Sequence, residues 1–272
     1  LHNDRPGWIL ATKVGNKMSD RPNEARYSRS WMHRACDASL KRLGSDYIDI
    51  YYLHRDFDGL RLDEPLRALD ELMRAGKIRY WGLSNFRGWR IGDAVHTARA
   101  MNMPGPVVCQ PYYNLLNRQP EVEVLPACEW FGMGVVPYSP IARGVLSGKY
   151  APDVKPAADT RAGRADRRIM QTEFRAESLR IAQELKEHCA RNGVALQHFA
   201  SAWVLAHRAV SAIIAGPRTL AQWQDYFGAL ECTITADDEA LVDSFVAPGH
   251  PSTPGYNDPA YPLPRRTAAE VR

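Results

Sequence analysis

Six short apolar runs along this chain end on side chains that can do chemistry. Trp8-Ile-Leu-Ala-Thr-Lys13 ends on an ammonium, and Tyr47-Ile-Asp-Ile-Tyr-Tyr-Leu-His54 ends on an imidazole. Ile78-Arg-Tyr-Trp-Gly-Leu-Ser84-Asn85 ends on a hydroxyl and an amide, and Val107-Val-Cys-Gln110 on a second amide. Val135-Val-Pro-Tyr138-Ser139 supplies a phenol and a hydroxyl, and Ser211-Ala-Ile-Ile-Ala-Gly216 leads into Pro217 and Arg218. Only seven of the 35 basic residues are Lys, so an ammonium closing the run Ile9-Leu10-Ala11-Thr12 is a selective placement. Such a point charge can tune the acidity of a neighbour. A Lys at a strand end that simply reaches solvent, or a structural rim histidine, explains either residue alone. The pair is harder to dismiss.

These side chains work together only if the elements bring them together. Strands alternating with helical patterns imply parallel βαβ units, and the first four strand-to-strand steps are compact, as such a repeat requires. Helical spacing runs from Ser28 to Leu43, with Gly44 as a stop, and from Asp63-Glu64-Pro65 to Gly76. It recurs near Gly88–Met101, Glu121–Phe131, Glu173–Arg191, Ala195–His207, Thr219–Leu230 and Ala236–Val246. The expected fold is a TIM-type (α/β)8 barrel over residues 1–247, whose strand C-termini open on one face. Ile141 to Thr172 shows no periodicity and is rich in Gly, Pro, Ala and Arg, so it reads as a lid or clamp, or as disorder. Residues 248–272 form a Pro-rich tail, with Tyr256 and Tyr261 as apolar anchors.

Gly216-Pro-Arg218-Thr219 closes the last run and opens a helix. Thr219 is a natural N-cap, and free amides beside it would suit an anion. Arg218 adds a planar fork for a phosphate monoester, with Gln222 one turn further on. Any capped helix looks similar, so this motif has weight only in company.

Composition narrows the classes. With 272 residues, 45% of them hydrophobic, the chain can bury one large core. The net charge of +4 comes from scattered Arg, which argues against a nucleic-acid footprint. No apolar run is long enough for a membrane span. Cys36, Cys109, Cys128, Cys189 and Cys232 are widely spaced and read as reduced thiols, which implies a cytoplasmic setting. The histidines lack metal-ligand spacing, so no metal is expected.

In order, Ala-Thr-Lys13-Val-Gly, Ser39-Leu-Lys-Arg-Leu with Asp46-Tyr-Ile-Asp49-Ile-Tyr-Tyr-Leu-His54, and Gly76-Lys-Ile-Arg-Tyr-Trp-Gly-Leu-Ser84-Asn85-Phe form a specific combination. Gln110-Pro-Tyr-Tyr-Asn-Leu-Leu-Asn-Arg118, Pro137-Tyr138-Ser139-Pro-Ile-Ala-Arg-Gly144-Val-Leu-Ser-Gly-Lys149-Tyr and Gly216-Pro-Arg218 continue it. The whole resembles the aldo-keto reductase family over nearly the full chain.

The resemblance implies an NADPH-dependent oxidoreductase that reduces the carbonyl of a small molecule. It assigns Lys13 and His54 to the catalytic tetrad, and Ser84, Asn85 and Gln110 to the nicotinamide carboxamide. Tyr138 would stack on the nicotinamide ring, and Ser139, Ile141, Gly144 and Lys149 would line the pyrophosphate. Gly216, Arg218, Gln222 and Asp225 would hold the adenosine 2′-phosphate end, although Tyr226 stands where the family has Asn. The long loop after Ala151 would be a strap over the cofactor, with Arg161 reaching the phosphates.

The family's Asp and Tyr acid precede the Lys strand. The sequence opens Leu-His-Asn-Asp, so it is expected to be an N-terminally incomplete form, supplying about six βα units without the first two strands. Weak turnover and poor solubility follow from that expectation. The alternative is a nicotinamide-binding regulatory subunit of the same fold, although such subunits typically lack the His kept here as His54. An unrelated phosphate-binding barrel shares only the Gly216–Thr219 feature. Neither the substrate nor the oligomeric state is legible.

Overall fold

The computed structural model describes residues 4–263. They fall into two compact units. The first takes the described residues of Leu1–Tyr112 with Pro120–Tyr138 and Arg208–Ala212; the second takes Tyr113–Gln119, Ser139–His207 and the described part of Ile213–Arg272.

In the first unit, strands and helices alternate as β1 (Ala11–Val14), α1 (Arg29–Leu43), β2 (Ile48–Leu53), α2 (Asp63–Arg74) and β3 (Ile78–Ser84). They continue as α3 (Gly88–Ala100), β4 (Val108–Gln110), α4 (Pro120–Trp130) and β5 (Gly134–Val135). The strands form one parallel sheet in the order β1-β2-β3-β4-β5. The Ser28 hydroxyl caps α1 by accepting from the Trp31 amide, and Gly44, at φ 60°, ends it in the left-handed region. Helix α2 carries Asp63 and Glu64 in its first turn and Arg74 in its last, which suits the helix dipole, and it buries Leu66, Leu69 and Leu72. Tyr51, Leu53, Trp81 and Leu83 are buried on one face of the sheet, and Ile48 and Ile78 on the other.

Several expected boundaries move. Trp8 and Ile9 are exposed and lie outside β1. The run toward Ser139 gives only a two-residue strand, because Pro137 has no amide to continue a ladder; Tyr138 makes an isolated parallel bridge to Tyr112 instead. The sixth run, Ser211 to Gly216, is no strand. Val210, just before it, makes an isolated parallel bridge to Val135, and Ile214 is exposed.

The second unit is helical. Ala142–Ser147 is an irregular turn, followed by α5 (Arg167–Thr172), α6 (Ala176–Arg191), α7 (Leu196–Ala206), α8 (Leu220–Asp225), a short 3₁₀ turn (Tyr226–Glu231) and α9 (Ala236–Phe245). The expected helix 219–230 is thus α8 plus a tighter turn. The segment expected to be structureless contains α5, whose first amides, on Arg168 and Ile169, are accepted by Asp166. A capping box between Thr235 and Asp238 starts α9. The Pro-rich tail is pinned within this unit, with Asn117 bridged to Pro251 and Arg168 paired with Asp258 through two bonds of 2.9 and 2.6 Å. Arg175 stacks 3.7 Å from the Tyr256 ring centroid, so Tyr256 does anchor the tail; residues 264–272 lie outside the described residues.

Gly82, at the middle of β3, has no room for a side chain. A Cβ there would lie 2.7 Å from the Val108 carbonyl oxygen and 2.8 Å from the Tyr52 ring. Gly82→Ala should therefore destabilise the fold by about 2 kcal/mol. Urea unfolding measures this, and an unchanged midpoint would show that the strands are not packed this way.

Candidate active site

Parallel register sets the site. Lys13 is level with Tyr52, Tyr52 with Gly82, and Gly82 with Val108. Two residues further along each strand the pleat returns to the same face. Leu53 pairs with Leu83 and Ser84 with Gln110, so His54 follows level with Ser84 and Gln110 at the C-terminal edge.

Hydrogen bonds join these strand ends. The Asn85 side-chain amide donates to the His54 carbonyl and to the Ser84 hydroxyl, both at 2.9 Å. Its oxygen accepts from the Tyr138 phenol at 2.8 Å. The Ser84 hydroxyl donates to the Gln110 carbonyl at 2.9 Å. Asn85 adopts φ 58°, a left-handed conformation that Asn tolerates better than most residues. Tyr138 stacks on Tyr112, with ring centroids 5.6 Å apart.

The electrostatics are specific. Lys13 is half-buried, its ammonium 5.7 Å from the Tyr52 ring centroid, and burial lowers its pKa. The His54 pKa falls to about 4, first through burial and then through the positive charges of Lys13 and Arg55. His54 is therefore neutral at ordinary pH. The Asn16 side-chain amide donates to His54 Nδ1 at 3.1 Å, which leaves the ring proton on Nε2. An imidazole N–H beside an ammonium can support negative charge developing on a substrate oxygen.

The turn after His54 is also fixed. The Tyr27 phenol donates to the Arg55 carbonyl at 2.6 Å and accepts from the Arg55 amide at 2.9 Å. Buried Arg90 holds both Asp56 oxygens at 3.1 and 3.2 Å. Asn16, Tyr27 and Tyr52 were missed from the sequence. Only Tyr52 carried a signal: it lies two residues before His54 on the same strand face, and it hydrogen-bonds Gln110.

The remaining candidates belong to the second unit. Ser139, Ala142, Arg143 and Gly144 all have positive φ, at 60°, 48°, 52° and 97°. Each non-glycine member costs about 1 kcal/mol, so neighbouring contacts must hold the loop in shape. The Ser139 carbonyl accepts from the Asn114 side-chain amide at 3.0 Å, and Ile141 caps the turn Ala142–Ser147 that follows. The Lys149 ammonium folds back to 3.0 Å from where a Cβ on Gly144 would sit. Gly216, Arg218, Gln222 and Asp225 are exposed. The Arg218 amide donates to Gln222 Oε1 at 2.7 Å, and the Thr219 hydroxyl caps the Gln222 amide, so these amides are already partnered. Both Asp225 oxygens are engaged, by Gln197 at 3.1 Å and His198 at 3.0 Å. Tyr226 accepts from the Gly216 amide and lies near Arg161.

Among the described residues no cluster of His, Cys, Asp and Glu is suited to a metal ion. No described helix is long and apolar enough to cross a membrane.

Residues 1–247 match the model of the Aldo/keto reductase family. An uncharacterized oxidoreductase, YrpG, of Bacillus subtilis (strain 168) is 36% identical over 255 residues, which are 91% of this chain and 75% of that protein. A probable voltage-gated potassium channel subunit beta of Oryza sativa subsp. japonica is 35% identical over 72% of this chain, and the match spans 60% of its length. L-glyceraldehyde 3-phosphate reductase of Escherichia coli (strain K12) is 30% identical over 90% of this chain and 71% of its own.

The His54 pKa is directly testable. It lies below the ordinary value of 6.5, so the unfolded chain takes up this proton first. The stability contributed by neutral His54 is then complete above about pH 6.5 and lost as the pH falls through about 4. NMR titration of the imidazole should give a midpoint near 4, and Lys13→Met should raise it. A midpoint near 6.5 would contradict the burial and the Lys13 contact.

Proposed function

The chain belongs to the aldo/keto reductase family, and on that premise we propose that it reduces small aldehydes or ketones to alcohols with NADPH. The family fold is a TIM barrel, and the parallel strands alternating with helices are of that class. The observation that carries the proposal is the Lys13–His54 pair, joined through Asn85 to the strand end that carries Ser84 and, through Ser84, to Gln110.

A cofactor carboxamide needs both donors and acceptors. Ser84, Asn85 and Gln110 carry hydroxyl and amide groups of both kinds at one strand edge, so their chemistry fits; Asn85, whose amide hydrogens go to His54 and Ser84, would have to exchange a partner to donate. Tyr138, tied to Asn85, would present its ring to the nicotinamide. NADPH supplies a hydride when bound. His54 would donate its Nε2 proton as a hydrogen bond to the substrate oxygen, which orients the carbonyl and supports the developing alkoxide. Lys13 would lower the pKa of an adjacent phenol so that it can give up the proton the alcohol needs.

Tyr52 is a poor candidate for that phenol. Burial pushes its pKa up to about 12, and it is committed to Gln110. The resemblance places the acid upstream of Lys13, and we take that placement as part of the proposal. At the phosphate end, Ser139, Ile141, Gly144 and Lys149 would line the pyrophosphate, and Gly216 and Arg218 the 2′-phosphate. Gln222 and Asp225 would have to exchange their present partners to contribute.

Likeness to the rice channel subunit favours a second reading, a nicotinamide-binding subunit with negligible turnover. The His54 geometry speaks for the enzyme.

Two measurements test the proposal. Arg218→Ala should weaken NADPH about tenfold to a hundredfold while sparing NADH, because charge-assisted bonds to the 2′-phosphate are lost. Fluorescence quenching reads both constants, and equal losses would contradict the assignment. In a steady-state assay with NADPH, Lys13→Met and His54→Ala should each lower aldehyde turnover about a hundredfold. Turnover unchanged by both substitutions would refute the role of the pair, whereas tight NADPH binding with negligible turnover by the unaltered chain would favour the subunit.

A further inference from the structure

Glu173 is a carboxylate with no solvent exposure, directly after α5, at a position the sequence reads only as the start of a helix. Burying such a charge is costly unless it is paired and hydrogen-bonded. Its partner is Arg143, whose Nε lies 3.0 Å from Glu173 Oε2. The Thr172 hydroxyl hydrogen-bonds the same carboxylate, and Arg143 Nε also reaches that hydroxyl at 3.3 Å.

Arg143 is the middle member of three consecutive residues with positive φ, between Ala142 and Gly144. A non-glycine residue leaves that conformation unless something holds it. The other end of the loop has its own tether: the Gly148 carbonyl accepts from Gln183 Nε2 and Lys186 Nζ, both at 3.1 Å. Gly144 lies between the two tethers, and the ammonium of Lys149, the residue just after the second, folds against it.

We propose that Glu173 is a positioning residue for nucleotide binding, holding the Ile141–Lys149 loop, through Arg143, in the shape that keeps Gly144 and Lys149 together for a diphosphate. The inference rests on the reading of this loop as the pyrophosphate-binding segment. It adds a residue outside the loop, one that touches no ligand and acts by fixing the population of the binding-competent shape.

The physics sets the size of the effect. If the loop keeps its competent shape only about a tenth of the time, the apparent dissociation constant rises about tenfold. A ligand that does not use the loop is unaffected.

The test compares NADPH with adenosine 2′-phosphate, which lacks the pyrophosphate, by calorimetry on the unaltered chain, Glu173→Gln and Arg143→Lys. Glu173→Gln keeps the shape and removes the charge; Arg143→Lys approaches the same pair from its more exposed side. Both variants should bind NADPH about tenfold more weakly and adenosine 2′-phosphate as the unaltered chain does. Variants that bind NADPH normally, or that lose both ligands equally along with their thermal transition, would overturn the inference while leaving the dinucleotide reading intact. An unaltered chain that binds neither ligand would remove both.

Discussion

The Asn85 side chain is the interaction on which the strand-end cluster depends. One amide holds the backbone of His54, the hydroxyl of Ser84 and the phenol of Tyr138, and so joins the ends of β2 and β3 to the residue beyond β5. Each bond is worth about 1 kcal/mol net, but a buried group left without its partner costs more than that. Asn is also suited to the left-handed backbone at this point, where a branched side chain would be strained. A single residue therefore meets both the conformational and the hydrogen-bonding demand.

Placed against that frame, Lys13 and His54 have a clear electrostatic relation. Two potentially positive groups share a partly buried edge, and burial disfavours charge on both. The imidazole yields first, since its ordinary pKa is already close to neutrality whereas that of an ammonium is far above it. A neutral donor next to a cation suits a transition state that gains negative charge on oxygen. The second unit solves a different problem. Its loop of left-handed residues is held by tethers at Glu173 and Gly148.

Much of this was legible in the sequence because strand register is regular. Apolar runs ending at Lys13, His54, Ser84 and Gln110 give parallel strands whose ends align, and the structure brings those side chains together. Helix limits were legible where a capping residue bordered apolar helical spacing, as at Ser28 and Gly44. The run through Pro137 misled because a proline ends the ladder, and the run from Ser211 misled because it pairs only in isolated bridges, the Ser211 amide donating to the Val135 carbonyl. Asp166 is a readable cap for α5, but the Gly- and Pro-rich residues before it hid the helix. Asn16 and Glu173 carried no signal, since each acts on a residue distant in the chain. Gln222 and Asp225, which motif position marks for a ligand, are engaged by local partners here.

The central claim is that Ser84, Asn85 and Gln110 receive a nicotinamide carboxamide. Reduced nicotinamide mononucleotide carries that group without the adenosine end. Its titration into isotopically labelled protein, followed by NMR of side-chain amides, is the most direct measurement. The account predicts saturable shifts of the Asn85 and Gln110 amide resonances, with the His54 ring moving alongside. Saturation that leaves those three unchanged and perturbs another surface would contradict it.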